Sequence, residues 1–146
     1  MKISTRIRYG LRLMMALALR YGNGPTLLKD IARLENISEK YLGQIIIPLK
    51  GAGLVNSVRG AHGGYLLNQG PQRITVKEIV QALEGKLHLV EPIDKSAASN
   101  GSSLYIGSLV WKKLEDSIVK TLTAITLEDL VTLYRDNNKD VPMYNI

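Results

Sequence analysis

The chain has 146 residues, of which 45% are hydrophobic, and its 19 Lys/Arg against 13 Asp/Glu give a net charge of +6. This length predicts a single domain with at most a short dimerisation arm. The absence of cysteine excludes disulfides and thiolate-bound metals, and the apolar run Leu13 to Leu19 of the first helical segment is too short to span a bilayer. We therefore expect a cytoplasmic protein without a membrane partner.

The positive charge is concentrated in the first half of the chain. Residues 1–67 hold ten Lys/Arg and three Asp/Glu, whereas the remaining residues hold nine and ten. Such an excess is expected where cations displace counterions from phosphates. The alternative is that this charge serves only solubility, because many basic proteins bind no nucleic acid.

Helical periodicity predicts three helices in the first fifty residues. The first begins at a Ser4/Thr5 cap and ends near Tyr21, before a glycine-rich stop. Thr26 is expected to cap a short second helix, and Ser38 is expected to cap the third after a brief turn. The inward side chains of the second helix are predicted to be Leu28, Ile31, Ala32 and Leu34.

The third helix is the candidate recognition helix, because a short turn joins it to the second. Its inward side chains are predicted to be Tyr41, Leu42, Ile45 and Leu49. Pro48 lies within this segment and is expected to kink it, since proline removes a backbone donor and clashes with the preceding turn. Gly51 and Gly53 are expected to end the helix.

Two short apolar segments follow, one from Leu54 to Val58 and one ending at Leu67, on either side of a glycine-rich loop. They predict a β-hairpin with Arg59 at its mouth. A helix pair followed by a hairpin is typical of a winged helix-turn-helix, in which the second helix enters the DNA major groove and the ribbon reaches the backbone or minor groove. DNA binding is therefore the first function indicated.

The second half of the chain is predicted to contain a short helix over Val76 to Glu84, a loop over 86–103, a long amphipathic helix over about Leu104 to Leu122, and a last helix from Thr126 to Tyr134. The apolar stripe of the long helix is longer than a small winged domain can cover. We therefore expect a homodimer, which suits a palindromic operator. The predicted dimerisation residues are Trp111, Leu114, Ile118 and Leu122.

An enzymatic function lacks its usual residues. The sequence Gly60-Ala61-His62-Gly63-Gly64 has neither G-x-G-x-x-G spacing nor the lysine of a phosphate-binding loop. His62 and His88 are the only histidines, and no thiol accompanies them. The residues that nucleophilic or metal-assisted catalysis requires are therefore missing from the sequence. We predict no catalytic residue and no metal site. A protein-interaction module without DNA binding is the other alternative.

Several motifs occur together along the chain. They are Met1-Lys2-Ile3-Ser4-Thr5 with Arg8-Tyr9-Gly10, Ile37-Ser38-Glu39-Lys40-Tyr41-Leu42 with Gln44, Gly53-Leu54-Val55, Val58-Arg59-Gly60 with Gly63-Gly64-Tyr65, and Thr126-Leu127-Glu128-Asp129-Leu130. In combination they resemble the IscR/NsrR/CymR family of bacterial winged-helix transcription regulators, often called the Rrf family. The resemblance implies a mainly α fold with a small β-wing. The implied organisation is a winged helix-turn-helix domain over 1–85, an effector or sensor loop over 86–103, dimerisation helices over 104–134 and a C-terminal tail over 135–146.

The resemblance also implies how such a dimer reads DNA. The start of the third helix contacts the major groove, and Arg59 in the wing enters the minor groove, which agrees with the affinity of glutamine for adenine edges and of arginine for narrow minor grooves. Tyr41 is equally compatible with the core, and His62 with an exposed wing tip. The predicted DNA-binding residues are Arg8, Ser38, Lys40, Tyr41, Gln44, Lys50, Arg59 and His62.

Two departures limit what the resemblance implies. Gly43 stands where many relatives have a glutamate that helps to discriminate operators. The iron–sulfur members carry three cysteines in the segment matching 88–105, and this chain has none. Either the chain belongs to a cysteine-free branch that senses through a partner or a small molecule, or its cysteines were substituted, for which Ala97, Ala98, Ser99, Ser102 and Ser103 are a hint. A 2Fe–2S cluster is expected only in the second case.

The C-terminal tail indicates a third possibility for how the chain senses its signal. The cysteine-metabolism branch resembles this chain in lacking the cluster cysteines and in ending on an aromatic residue close to a terminal isoleucine, here Tyr144 and Ile146. In that branch the regulator partners with cysteine synthase, an enzyme that accepts a C-terminal isoleucine carboxylate in other complexes. The function implied is a dimeric repressor of iron–sulfur-cluster or sulfur and cysteine metabolism genes. The alternative is a cysteine-free regulator that senses through a protein partner such as cysteine synthase, bound through Ile146.

Overall fold

The computed structural model describes residues 2–91 and 101–139, and it confirms a mainly α fold with a small β-wing. The elements are α1 (Thr5–Leu19), α2 (Leu28–Glu35), α3 (Glu39–Gly51), β1 (Val55–Val58), β2 (Gly64–Leu67), α4 (Val76–Glu84), α5 (Ser103–Ala124) and α6 (Leu127–Asn137). The strands pair antiparallel, with Val55 opposite Leu67 and Val58 opposite Gly64. Among the described residues, no helix combines the length and apolar composition that a bilayer crossing requires.

One hydrophobic core joins the first four helices, the wing and α6. Its fully buried side chains are Leu13, Met14, Ile31, Leu42, Ile45, Leu49, Val55, Ile74, Ile79, Leu127 and Val131. Two backbone hydrogen bonds hold α6 to the segment before α4: the Leu127 N–H donates to the Ile74 carbonyl at 2.9 Å, and the Val76 N–H donates to the Ile125 carbonyl at 2.9 Å. The last helix therefore returns to pack against α1.

Side-chain caps begin five of the six α-helices in the described ranges, among them α1, α3 and α6. Ser4 and Ser38 each accept a hydrogen bond through Oγ from the backbone N–H three residues later, at 3.1 and 3.3 Å. At the start of α6, Thr126 and Asp129 bond reciprocally as a capping box. These bonds satisfy donors that the first helical turn leaves free. The predicted caps Ser4, Ser38 and Thr126 are confirmed.

The predicted cap Thr26 is wrong, because its backbone pairs with the wing. The Thr26 N–H donates to the Tyr65 carbonyl at 2.9 Å, and the Tyr65 N–H donates to the Thr26 carbonyl at 2.8 Å. Helix α2 instead begins after Leu27, without a side-chain cap. The close approach requires a glycine beside Tyr65, since a Cβ on Gly64, whose φ is +146°, would lie 2.6 Å from the Thr26 carbonyl oxygen.

One expectation about α2 also needs correction. Leu34, predicted to face inward, is 62% exposed. Helix α2 stops one residue later, before Asn36, which adopts a left-handed conformation with φ 54°, and this leaves Leu34 at the end of the helix and outside the core. Helix α3 continues through Pro48 and ends at Gly51, one of the two glycines predicted to end it. The kink at Pro48 stays a prediction.

Three helix boundaries differ from the prediction. Helix α1 ends at Leu19 instead of Tyr21, because the next two N–H groups bond to carbonyls only three residues back. Helix α5 extends one residue beyond Leu104 at its start and continues past Leu122 to Ala124. Helix α6 continues beyond Tyr134 to Asn137, so the predicted tail begins with helical residues.

The segment after α4 is attached to α5 through one carboxylate. The Leu89 N–H donates to Glu115 Oε2 at 3.3 Å, and His88 Nδ1 lies 3.8 Å from Glu115 Oε1. The Glu115 side chain is mostly buried, whereas His88 is half-exposed. This contact fixes His88 and Leu89 against the middle of the long helix.

Candidate nucleic-acid interface

The outer face of α3 is exposed because its inner face belongs to the core. Leu42, Ile45 and Leu49 are buried, and their spacing fixes the rotation of the helix about its axis. Lys40 and Gln44, two predicted DNA-binding residues, are exposed on the opposite side. The helix therefore presents a polar, basic surface to solvent, as a recognition helix requires.

An open groove lies at the N-terminal end of this helix. It is lined by Thr5, Tyr9, Asn36, Ile37, Ser38, Lys40, Tyr41 and Gln44. The structure thus brings together all four residues that were predicted to contact the major groove, Ser38, Lys40, Tyr41 and Gln44. Arg8 lies at the border of the groove, because its Nη2 donates to Thr5 Oγ1 at 3.0 Å. The second wall of the groove comes from α1, which the sequence did not indicate.

Tyr41 packs against the core and lines the groove at the same time. Its ring stands edge-on to the ring of Tyr9, with centroids 5.7 Å apart and planes at 87°. Edge-to-face contacts of this kind stabilise aromatic pairs beyond the area that they bury. The side chain is half-exposed, so packing on Tyr9 leaves part of it accessible to a ligand in the groove.

Arg12 anchors this end of the recognition helix, a role that the sequence did not reveal. Its guanidinium donates to Glu35 Oε2 at 3.0 and 2.9 Å and also to the Glu35 carbonyl oxygen. The same group lies 5.5 Å from the centroid of the Tyr9 ring, within the range of a cation–π contact. Arg12 therefore joins α1 to the end of α2 and supports Tyr9, on which Tyr41 packs.

The wing is attached to the far end of α3. Lys50 Nζ donates to Ser57 Oγ at 2.7 Å, and this bond links the last turn of the helix to β1. Asn68 Nδ2 donates to the Gly53 carbonyl at 2.9 Å, and its Oδ1 accepts from Asn56 Nδ2 at 2.7 Å. This asparagine pair, which was not predicted, connects both strands to the end of the helix.

The tip of the wing presents two of the predicted residues. Arg59 directly follows β1, and both Arg59 and His62 are exposed. Between them, Gly60 has a φ of +110°, and its carbonyl accepts from the Gly63 N–H at 3.0 Å. The tight loop thus holds the two side chains at the end of the hairpin.

Four of the ten cations in residues 1–67 are held by contacts within the protein, two of them by carboxylates. Arg6 donates to the Leu83 carbonyl, Arg20 to the Ala16 carbonyl, and Arg33 pairs with Asp30. Arg12 is committed to Glu35. In contrast, Arg8 and Lys50 bond only to hydroxyl groups, and within the described ranges Lys40 and Arg59 have no hydrogen-bond or ion-pair partner. Four of the predicted DNA-binding residues therefore carry a charge that no carboxylate compensates. They are Arg8, Lys40, Lys50 and Arg59.

The predicted dimerisation helix, α5, buries no residue completely. Leu114, Ile118 and Leu122 are half-buried, whereas Trp111 is 46% exposed. The most exposed apolar side chains lie in the first half of the helix. They are Leu104, Ile106, Leu109, Val110 and Trp111.

The outer face of the second half of α5 is polar. Lys112 Nζ and Asp116 Oδ1 form an ion pair at 2.9 Å with both side chains in solvent. The hydrogen bond that Lys112 donates to Asp116, and then the charge of that carboxylate, raise the pKa of Lys112 above the ordinary value. Lys113, Ser117 and Lys120 are also exposed. Uncovered apolar surface is therefore confined to the N-terminal half of the helix.

Comparisons with known proteins identify relatives along the whole chain. A family model described as Rrf2, iron-dependent transcriptional regulator, matches residues 3–133. The chain is 42% identical to the HTH-type transcriptional regulator CymR of Bacillus subtilis over 146 residues, which is 100% of each chain. A solved structure of this CymR, titled the global cysteine regulator, matches with a TM-score of 0.79 over 91% of this chain and 98% of that chain. The structure of T. potens IscR is 36% identical in sequence. It also matches with a TM-score of 0.79, over 100% of this chain and 97% of that chain.

The family description implies iron, but the residues present do not fit an iron–sulfur cluster. The chain has no cysteine. In residues 2–91 and 101–139, no three His, Cys, Asp or Glu side chains are grouped so that they could hold a metal ion. Of the segment matched to the family cysteines, 92–100 lies outside the described residues, and so does the predicted partner contact Ile146.

Replacing Arg12 tests its anchoring role. Arg12→Ala should lower the free energy of unfolding by about 1–2 kcal/mol, because it removes charge-assisted hydrogen bonds and a cation–π contact at a partly exposed site. Arg8→Ala is the matched control one helical turn earlier, and it should leave stability unchanged. Urea unfolding followed by circular dichroism measures both. Equal stability of the two variants would contradict the anchoring role.

Proposed function

This chain belongs to the Rrf2 family of DNA-binding transcriptional regulators, and we propose that it is a dimeric repressor of sulfur or cysteine metabolism genes that binds a palindromic operator. The family consists of regulators, not enzymes. The observation that carries the proposal is the outer face of α3, exposed between the uncompensated cations Lys40 and Lys50 and continued by Arg59 in the wing. We place this activity in the cytoplasm, where chromosomal DNA is accessible.

The choice of target genes rests on two observations. The relative named a global cysteine regulator is matched along its full length at 42% identity, whereas IscR of Photorhabdus laumondii is matched at 34% identity over 82% of its length. The chain also lacks the thiols that a cluster-sensing regulator needs. Both support cysteine metabolism over cluster assembly. A signal from cysteine synthase through Ile146 stays a prediction.

The mode of DNA reading follows from side-chain chemistry. Gln44 carries an amide that can bond bidentately to an adenine edge, whereas Lys40 and Lys50 supply charge to phosphates. Ser38 and Tyr41 line the groove at the N-terminal end of α3 and add hydroxyl groups there. Arg59 and His62 extend from the wing toward the neighbouring backbone and minor groove. Arg8 borders the same groove from α1.

Dimerisation is proposed through a second copy of the chain on α5. Five large apolar side chains are exposed around its first half, from Leu104 to Trp111. Ile106, Leu109 and Val110 lie three or four residues apart on one side of the helix, and an exposed apolar patch marks a contact surface. Leu114, Ile118 and Leu122 continue this side by steps of four residues along the second half of the helix. A symmetric pair of α5 helices would place two recognition helices on one operator.

Substitutions in the wing and at the end of α3 test the assignment of contacts. Arg59→Ala should weaken operator binding by roughly 1–3 kcal/mol, the scale of one specific contact, and should leave the melting temperature unchanged. Lys50→Ala should weaken operator and random DNA about equally and reduce the salt slope by about 1. Fluorescence anisotropy at several salt concentrations measures both. Small and equal effects of the two substitutions on both DNAs would show that the wing reads no sequence.

A charge in the exposed half of α5 tests the dimer. Val110→Glu should dissociate it, because a buried unpaired carboxylate is strongly unfavourable. Ser117→Glu, one heptad later on the same helix face, should leave the dimer intact because its surroundings are already polar. Sedimentation equilibrium at micromolar concentration separates the two states. A monomeric unmodified protein, or a dimeric Val110→Glu variant, would refute this interface.

A further inference from the structure

Ile47 is exposed in the middle of the recognition helix. Three isoleucines follow one another in α3, of which Ile45 and Ile46 are 1% and 3% exposed, whereas Ile47 is 68% exposed. No other large apolar side chain in the described ranges is as exposed. The core does not use Ile47, and a β-branched residue is not favoured in a helix over alanine or a long polar residue. Single exposed apolar residues are common, so the argument depends on where this one lies.

Its position places Ile47 among the predicted DNA-reading residues. Residues three and four apart lie on one helix face, which puts Ile47 next to Gly43 and Gln44. Gly43 has no side chain, and nothing lies within 4 Å of the point where its Cβ would stand. The centre of the face is therefore open, and a ligand can approach the backbone there and still touch the two neighbouring side chains.

The charges around this face favour a polyanion over an apolar protein partner. Lys40 lies two turns before Ile47 and Lys50 one turn after it, and both are exposed. Lys50 bonds only to the Ser57 hydroxyl, so its charge is uncompensated. An apolar group held between two free cations matches the major groove, where base edges lie between phosphate backbones.

Only thymine presents a methyl group in the major groove, and it is recognised by apolar contact. We propose that Ile47 reads the C5-methyl group of one thymine in each operator half-site, next to an adenine that Gln44 reads. This inference rests on the proposed function and adds a determinant to it. Gly43 serves the same contact, because a larger side chain one turn before Ile47 would hold the helix away from the base.

The test replaces thymines one at a time by deoxyuridine, which removes the methyl group and keeps every Watson–Crick hydrogen bond. An operator is first selected from a random duplex pool with the unmodified protein. Affinity should then fall about fourfold at one thymine in each half-site, the effect of losing one buried methyl group. The Ile47→Ala variant loses the contact in both half-sites, so it should bind the thymine operator at least as weakly as the unmodified protein binds an operator with deoxyuridine in both half-sites. It should no longer respond to that replacement.

Leu34→Ala is the matched control. Leu34 is 62% exposed on α2, away from this face, so its replacement should preserve the full response to deoxyuridine. Thermal melting verifies that both variants remain folded, since neither side chain belongs to the core. A selected operator that binds tightly but responds to deoxyuridine at no position would overturn the role of Ile47 and leave the proposed function standing. An Ile47→Ala variant with unchanged affinity and response would overturn it as well. A pool without enrichment would overturn both proposals.

Discussion

The orientation of α3 is the constraint on which the proposed interface depends. Leu42, Ile45 and Leu49 bury one side of the helix, and the 3.6-residue repeat then determines which side chains face solvent. Contacts at both ends hold this orientation. At the start, Arg12 bonds Glu35 and supports Tyr9 beneath Tyr41, and at the end a lysine and an asparagine pair bind the wing. The DNA-reading face and the wing tip are therefore held in a fixed relation.

The long helix α5 is supported unevenly, and this suggests how two copies associate. The helix contacts α4, and the chain after it returns to the core through Leu127 and Val131. In its middle, Glu115 accepts a hydrogen bond from Leu89, which fixes the segment that leaves the winged domain. Its large exposed apolar side chains all lie in the first half. A partner subunit there would cover this surface and set the spacing of the two recognition helices.

The features that were predicted correctly depend on residues close in sequence. The caps Ser4, Ser38 and Thr126 bond to N–H groups three residues later, so their spacing alone identifies them. The four groove residues from Ser38 to Gln44 are also close in sequence, which brings them together at the start of α3, whereas their contact with DNA stays a prediction. The features that were missed depend on contacts between distant segments. Thr26 pairs with Tyr65 across the wing, and Arg12 reaches Glu35 on another helix, and no local pattern encodes either contact.

Footprinting on a selected operator tests most directly that the outer face of α3 enters the major groove of a palindromic site. Dimethyl sulfate modifies guanine N7, an atom of the major-groove edge, and hydroxyl radicals report the sugar backbone. The account predicts two symmetric major-groove protections per dimer, separated by about one helical turn or a multiple of it, each flanked by backbone protection from the wing. Backbone protection without any major-groove protection, or a single unpaired protected segment, would contradict the account.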